Sequence, residues 1–333
     1  MKKQVFILIE LIIVVLILVI SCKKSDPDPA PVDQGQIAWA VGNIDSNSYG
    51  TILKTNDGGE TWTRQIDSVL MKGIGFNGLY VMDKNNVWVV GNFNTLLKTT
   101  DGGETWVQVP TPANPSNPNL DCISMLDQNT IWISGEHGVV LKTLDGGTTW
   151  TLFDTNFFNS GGLMQGIHVI DDQVVYVAGG IPAEKDDLVG FFARTYDGGN
   201  SWDSISLPDY YNKNEWIGVK ATDANHVIVY GEKGHYAITT NGGMSWYVAD
   251  PIDPGDINGL VMLSDKIFWA ACDFDQIYMT FDGGASWSFQ PTDGVGPANQ
   301  YLVGIDALDT KTALVVGTSA GWPAGGKILK TTD

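Results

Sequence analysis

The phrase Thr99-Thr-Asp-Gly-Gly-Glu-Thr-Trp106 occurs in closely similar form six times along this chain of 333 residues. The other five copies begin at Thr55, Thr143, Thr195, Thr239 and Thr280, and a seventh, cut short by the end of the given sequence, begins at Thr331. Successive copies are 44, 44, 52, 44, 41 and 51 residues apart. A period of this length indicates a supersecondary unit that repeats around a propeller.

Each copy, called a box below, lies between two short apolar runs, which is the layout of a β-hairpin. The Gly-Gly pair supplies the positive φ of a tight turn, and the Asp and Thr side chains can bond its backbone. The closing Trp can cover the turn. We therefore predict a structural role, because a catalytic or metal-binding role would need the same reactive group in every repeat. The residues concerned are Asp57, Asp101, Asp145, Asp197, Asn241, Asp282, Trp62, Trp106, Trp150, Trp202, Trp246 and Trp287.

The segments between the boxes predict short strands rich in Val, Ile and aromatic residues. Gly78-Leu-Tyr-Val-Met-Asp83, followed by Val87-Trp-Val-Val-Gly91, is one example. Strand, Asp turn, strand, loop, strand, box and strand make a four-stranded antiparallel blade, so residues 37–333 predict an all-β, seven-bladed propeller with almost no helix. The first unit offers no first strand and the last no fourth. Either two blades have three strands, or the chain is truncated.

The first 36 residues predict export and anchoring. Residues 1–21 have the basic start, apolar middle and small-residue exit of a secretory signal peptide. The ending Val19-Ile-Ser-Cys22 resembles a bacterial lipoprotein signal, which implies that Cys22 carries lipid. A retained transmembrane anchor is the alternative. Residues 22–36 predict a disordered, Pro-rich tether. We expect a propeller outside the cytoplasm, anchored by lipid on Cys22 to a membrane of the bacterial cell envelope.

The formal net charge of −19 argues against nucleic acid and against other anionic partners. Solubility outside the cytoplasm explains the same charge without any partner. Cys122 and Cys272 fall on strands of different blades, so we expect two buried thiols and no disulfide. The four His residues lack metal-ligand spacing. We expect a monomer without metal or cofactor.

The pattern Thr-x-Asp-Gly-Gly-x-Thr-Trp resembles the Asp-box of the sialidase-type (BNR) repeat. The longer unit, Trp88-Val-Val-Gly91 followed by Leu96-Leu-Lys-Thr-Thr-Asp-Gly-Gly-Glu-Thr-Trp106, resembles the photosystem II stability and assembly factor family. The resemblance extends over residues 37–333. It implies a propeller with a binding or assembly role. The box also occurs in sialidases, xyloglucan-cleaving hydrolases and sortilin-like receptors, so it specifies the fold class more than the activity.

The arginines argue against a sialidase, which holds the substrate carboxylate with three of them. This chain has only Arg64 and Arg194, and Arg194 takes the pre-box position that Lys54, Lys98 and Lys142 hold elsewhere. Xyloglucan-cleaving hydrolases use a cleft between two propellers, whereas this length allows one. The basic binding patch of the assembly factors has no counterpart here.

These comparisons favour a non-enzymatic propeller that recognises a protein or a glycan. The alternative is a carbohydrate-active enzyme, either a glycoside hydrolase or a lyase. Such an enzyme would have a pair of partly buried carboxylates with raised pKa in one concave site.

The binding site is predicted on the face opposite the boxes, where the long loops meet. The candidate residues are aromatic side chains beside carboxylates, a combination that suits a glycan or a peptide with basic groups. The alternative is that these rings fill gaps between blades. The candidates are Phe157, Phe158, Tyr210, Tyr211, Trp216, Glu184, Asp186 and Asp187.

Overall fold

The computed structural model describes residues 17–18, 37–45, 47–65, 69–112, 114, 116–153, 161–182, 188–207, 214–249, 251–252, 255–291, 300–319 and 326–332. Their strands form seven separate antiparallel sheets, each built from strands consecutive in the chain. The predicted all-β, seven-bladed propeller is therefore confirmed. The only helical element among these residues is a 3₁₀ turn, Glu232–Gly234. None of the described helices is long and apolar enough to cross a membrane.

The blades are numbered in chain order, and the strands of each blade run from the innermost, first strand to the outermost. Blade 1 consists of Ile17–Leu18, Ala38–Ile44, Gly50–Thr55 and Thr63–Gln65. Blade 2 consists of Phe76–Val81, Val87–Gly91, Thr95–Thr99 and Val107–Gln108. Blade 3 consists of Leu120–Met125, Ile131–Gly135, Val140–Thr143 and Thr151–Leu152. Blade 4 consists of Leu163–Val169, Val175–Pro182, Leu188–Thr195 and Asp203–Ser204.

Blade 5 consists of Trp216–Ala221, Val227–Gly231, Tyr236–Thr239 and Tyr247–Ala249. Blade 6 consists of Ile257–Met262, Phe268–Cys272, Gln276–Thr280 and Ser288–Gln290. Blade 7 has three strands among the described residues, Gln300–Ala307, Thr312–Ser319 and Gly326–Thr332.

The apolar core is divided into seven clusters, one at each junction between neighbouring blades. At the junction of blades 1 and 2, for example, Trp39 and Ile52 of blade 1 pack with Leu79 and Trp106 of blade 2. At the junction of blades 7 and 1, Leu314 packs with Leu53. Because burial occurs between blades and not within them, the free energy of burial holds the ring closed.

The box turns follow one hydrogen-bonding scheme, illustrated by blade 2. The hydroxyl of Thr99 donates to Asp101 at 2.7 Å and accepts the N–H of Gly103 at 2.9 Å, and Asp101 accepts the N–H of Thr105 at 2.9 Å. These bonds replace ladder bonds that the turn gives up. Gly103 has φ +91°, and a Cβ there would lie 2.6 Å from the ring of Trp39, so only glycine fits. The equivalent bonds recur at Asp57, Asp145, Asp197, Asn241 and Asp282.

A cation directly before the box, called the pre-box cation, joins three of the boxes to the preceding blade. Lys54 Nζ donates to the carbonyl of Gly102 in the next box at 2.7 Å, and Lys142 Nζ donates to Gly198 at 2.6 Å. Arg194 makes the same contact, with its Nη1 2.5 Å from the Gly242 carbonyl oxygen. Box-to-box contacts of this kind place the boxes on a common face of the ring.

The ends of the chain close the ring through side chains. Lys330, the pre-box cation of blade 7, forms an ion pair of 2.7 Å with Glu60 in the first box. The expectation that blade 1 lacks a first strand is wrong for the full-length chain, because Ile17–Leu18 pairs with Ala40 and Val41. This pair lies within the predicted signal peptide, so the pairing belongs to the uncleaved chain. Cleavage and lipidation at Cys22, which lies outside the described residues, stay predictions.

Candidate functional site

The face opposite the boxes carries a ring of polar side chains, called the mouth below. It is formed where the second strands end and the first strands begin, because antiparallel connectivity brings both to this face. In blades 3, 5 and 6 the residue after the second strand is acidic: Glu136, Glu232 or Asp273. Each accepts the backbone N–H of the residue 17 positions earlier, at 3.1, 3.2 and 3.3 Å. One side-chain oxygen of each thus orders the start of the first strand.

Each of these acidic residues is followed by a tight turn of left-handed residues. His137 and Gly138, Lys233 and Gly234, and Phe274 and Asp275 all have φ between 55° and 70°. Two successive residues at positive φ form a type I′ hairpin, which matches the twist of the strands it joins. The Lys233 N–H donates to Asp256 of the next blade at 2.8 Å. The turns therefore link neighbouring blades around the mouth.

A second layer of polar side chains lies one step further along the first strands. Asn77 donates from Nδ2 to Asn92 of its own blade, at 3.1 Å, and to the Leu120 carbonyl of the next blade, also at 3.1 Å. Asn258 repeats this arrangement with Asp273 and Leu302, both at 2.8 Å. An amide at this position thus ties the second strand of one blade to the first strand of the next.

Asp121 occupies the same register position in blade 3 as Asn77 does in blade 2. Asp121 falls between the strand pairs Leu120↔Gly135 and Cys122↔Ser134. Asn77 falls between the equivalent pairs Phe76↔Gly91 and Gly78↔Val90. Its own-blade neighbour is Glu136, which replaces Asn92. Burial and, to a smaller extent, the negative charge of Glu136 raise the pKa of Asp121 to about 7, although a hydrogen bond from Asn77 acts in the opposite direction. A carboxyl that retains its proton near neutral pH can donate where an ionised one cannot.

Blade 5 contributes a second carboxylate with a raised pKa. Burial raises the pKa of Glu215, and the charges of Glu232 and Asp256 add to this effect. Gln165 of blade 4 donates to Glu215 at 3.2 Å. Lys233 of blade 5 donates from Nζ to Asn214 at 2.7 Å. The carboxylates of the mouth are Asp121, Glu136, Glu215, Glu232, Asp256 and Asp273.

Of the binding residues predicted from the sequence, the structure describes only Trp216. The prediction that Trp216 lies on an exposed binding surface is wrong, because its side chain is only 1% exposed and packs between blades 4 and 5. The predicted residues Phe157, Phe158, Tyr210, Tyr211, Glu184, Asp186 and Asp187 lie outside the described residues.

Sequence reasoning did not find the mouth carboxylates, because the repeat is recognised by its boxes and apolar runs and these residues flank the runs. Alignment of the repeats could have found them. Glu136 and Glu232 directly follow the glycine that ends a second strand, and Asp121 directly precedes the apolar run that starts at Cys122.

Both arginines bond to other residues of the blades. Arg64 forms an ion pair of 2.9 Å with Asp45, and Arg194 bonds the next box as described above. Neither Cys122 nor Cys272 forms a disulfide with another described residue. Among the described residues there is no group of three or more His, Cys, Asp and Glu arranged to hold a metal ion.

Comparisons with known proteins agree with this architecture. The family model described as photosynthesis system II assembly factor YCF48 matches residues 69–156. A solved structure of YCF48 bound to D1 peptide is 17% identical, with TM-score 0.69 over 100% of this chain and 96% of that one. YCF48 from Cyanidioschyzon merolae is 19% identical, with TM-score 0.69 over 99% and 98% of the two chains.

Propeller proteins of other kinds share the fold. Virginiamycin B lyase from Staphylococcus aureus is 13% identical, with TM-score 0.67 over 98% of this chain and 99% of that one. The GH74 xyloglucanase from Xanthomonas campestris is 13% identical, with TM-score 0.66 over 99% of this chain and 56% of that one. No curated protein sequence matches the chain. The chain therefore resembles the YCF48 assembly factors, through residues 69–156 in sequence and through the seven-bladed propeller in fold.

Proposed function

We propose that this protein is a binding propeller that captures a protein segment at the mouth, and that the segment is positively charged. The carboxylate cluster of the mouth, with raised pKa values at Asp121 and Glu215, is the observation that carries the proposal. Like charges held together in a partly buried site are costly, and a Lys or Arg side chain of a partner relieves that cost. The structure of YCF48 with a bound peptide supports peptide capture on this fold.

The test is the affinity of a cationic peptide, labelled with fluorescein and followed by anisotropy, against a peptide in which Glu replaces each Lys and Arg. We expect binding of the cationic peptide only, weakening as salt rises. The variant Glu215→Gln with Asp256→Asn removes two mouth charges but keeps their acceptor oxygens, and it should weaken binding at least tenfold. The control Asp203→Asn with Asp265→Asn removes two exposed charges elsewhere. If both variants lost affinity equally, binding would depend on the net charge of the protein and not on the mouth.

A glycoside hydrolase is the second candidate, because Asp121, a carboxyl with a raised pKa, lies beside a second carboxylate, Glu136. Two neighbouring carboxyl groups of which one retains its proton can supply a general acid and a base or nucleophile. Incubation with xyloglucan and with other β-glucans, followed by assay of reducing ends, tests this activity. Release that is abolished by Asp121→Asn and by Glu136→Gln supports the hydrolase. No release by the parent protein excludes it for these substrates.

We further propose that the propeller is displayed from a bacterial membrane by lipid on Cys22. The ending Val19-Ile-Ser-Cys22 and the Pro-rich segment that follows support this proposal. Mass spectrometry of the protein from native membranes should give a mature chain that starts at diacylglycerol-modified Cys22. Recovery of a chain with Met1 intact would support a transmembrane anchor instead.

A further inference from the structure

Neighbouring blades diverge toward the outside of the ring, and the gap between their third and fourth strands is called a wedge below. In the wedge between blades 5 and 6, Tyr247 is 62% exposed and Phe289 is 52% exposed. Phe289 pairs across the strands with Tyr278, and their ring centroids are 5.7 Å apart. Three aromatic rings therefore line one wedge at the surface of the protein.

The strand registers show that these rings face the same gap. Tyr247 pairs with Ile238, whose side chain belongs to the apolar cluster between blades 5 and 6. Tyr278 packs against that same cluster from blade 6. Paired residues on antiparallel strands project from the same side of a sheet, so Tyr247 faces blade 6 while Tyr278 and Phe289 face blade 5.

The repeat itself does not require aromatic residues here. At the positions of Tyr247 and Phe289, the wedge between blades 1 and 2 has Thr63 and Gln108. The wedge between blades 3 and 4 has Thr151 and Ser204. These two wedges form without exposed rings, so the repeat does not need the aromatic rings of the wedge between blades 5 and 6. Large exposed apolar side chains that packing does not need are typical of binding surfaces.

The polar side chains described beside these rings are neutral. The hydroxyl of Tyr278 hydrogen-bonds to the side-chain oxygen of Gln276, which lies on the same side of its strand. Tyr247 adds a second hydroxyl. Aromatic faces bordered by hydroxyl and amide groups match a pyranose ring, which has an apolar C–H face and hydroxyls along its edge. A second copy is a poorer match, because each copy carries a net charge of −19 and like charges oppose association.

We propose that the wedge between blades 5 and 6 binds a neutral carbohydrate chain through Tyr247, Tyr278 and Phe289. The sugar rings stack on the exposed aromatic faces, and the Tyr hydroxyls and the Gln276 amide bond the sugar hydroxyls. This site is separate from the mouth and does not depend on the function proposed for it. No bond is made or broken in the wedge.

Affinity electrophoresis in native gels tests this site with named probes: xyloglucan, hydroxyethylcellulose, galactomannan and starch as neutral chains, and polygalacturonate as an acidic one. The test variant is Tyr247→Thr with Phe289→Gln, which installs the residues that the chain itself carries as Thr63 and Gln108. The matched control is Val107→Thr with Leu152→Gln, which removes exposed apolar side chains from the wedge between blades 2 and 3. Thermal melting confirms that both variants fold.

We expect at least one neutral polysaccharide to retard the parent and the control equally, and to bind the test variant at least tenfold more weakly. Polygalacturonate should retard none of them. Equal retardation of all three proteins, or no retardation of the parent by any neutral chain, overturns the proposal. Dimerisation of the parent that the test variant loses, measured by light scattering without polysaccharide, also overturns it in favour of a self-association surface.

Discussion

At the scale of single residues, the box Asp acts through the number of hydrogen bonds it accepts. The hydroxyl and backbone donors within the box lower the pKa of Asp101 to about 2. The same direction and cause apply to Asp57, Asp145, Asp197 and Asp282. In the fifth box Asn241 accepts the N–H of Ser245 at 3.0 Å and donates to its hydroxyl at 2.8 Å. The turn therefore needs the acceptor more than the charge.

Asp101→Ala should lower the midpoint of urea denaturation at pH 7 clearly more than Asp101→Asn, because only alanine removes the acceptor. The depressed pKa of Asp101 implies a contribution that is present above the unfolded-state value, near 4, and is lost as pH falls toward 2. The difference between parent and Asp101→Asn should therefore shrink over this window. Equal midpoints for Ala and Asn at pH 7 would contradict the acceptor role.

Asp121 has the opposite sign of pH dependence. Its folded pKa of about 7 lies above the unfolded value, so the stability that its proton supports is complete below pH 4 and is lost as pH rises to 7. Asp121→Asn restores the amide found at Asn77 and Asn258. The free energy of unfolding of Asp121→Asn should therefore rise relative to that of the parent between pH 4 and pH 8, by about 1–3 kcal/mol at pH 8.

Denaturation curves recorded from pH 4 to pH 8 measure this gain. Glu136→Gln is the companion variant, since removal of the neighbouring charge should lower the pKa of Asp121 and move the pH dependence to lower values. A constant difference between parent and Asp121→Asn across this range would show that Asp121 is ionised throughout.

At the scale of elements, two kinds of contact join neighbouring blades: a cation on the third strand of blades 1, 3 and 4, and the box Trp of the next blade. Lys142 lies 4.8 Å from the Trp132 ring centroid while it bonds Gly198. Trp106 of blade 2 packs edge-on against Trp39 of blade 1, with ring centroids 6.0 Å apart. One contact is polar and partly exposed, and the other is apolar and buried, so their contributions to stability should differ.

Lys142→Met should reduce the free energy of unfolding by about 1 kcal/mol, because it removes the bond to Gly198 but keeps most of the apolar stem. Lys142→Arg should cost less, since Arg194 makes the equivalent contact in blade 4. Trp106→Ala should cost about 3–5 kcal/mol, because the side chain is 6% exposed and leaves a large cavity. Denaturation in urea ranks the three variants, and an Arg variant weaker than Met would contradict this account.

At the scale of the whole molecule, the ring should open at the junction between blades that buries the fewest apolar side chains. Among the described residues, the cluster between blades 7 and 1 has five buried apolar side chains, whereas the other six clusters have nine to eleven. The Lys330–Glu60 ion pair at this junction is partly exposed, and such pairs contribute little. The ring should therefore open first between blades 7 and 1.

Native-state hydrogen exchange should show the strands of blades 1 and 7 exchanging before those of blades 3 to 5. Glu60→Gln should increase exchange further in blades 1 and 7. Glu104→Gln, at the equivalent position of the second box, should leave that pattern unchanged. Uniform protection across all seven blades would mean that the ring opens as one cooperative unit.

The repeat in the sequence determined the architecture, because turn chemistry and strand pattern are local and recur in every blade. Gly102 and Gly103 need positive φ, and Thr99 and Asp101 bond within the same turn, so eight residues carry the whole signal. The place of Arg194 followed from its register with Lys54 and Lys142. The partner of the first blade's second strand did not follow, since two paired residues leave no periodicity to detect.

Only the tertiary structure decided where the polar groups meet. Asp121 and Glu136 are 15 residues apart, and the segments that precede and follow them give no sign that they share a buried space with Asn77. In the sequence Trp216 follows a polar loop, but its side chain is buried because its strand enters the junction of blades 4 and 5. Closure of the ring brings such residues together, and closure depends on contacts between blades that no single repeat contains.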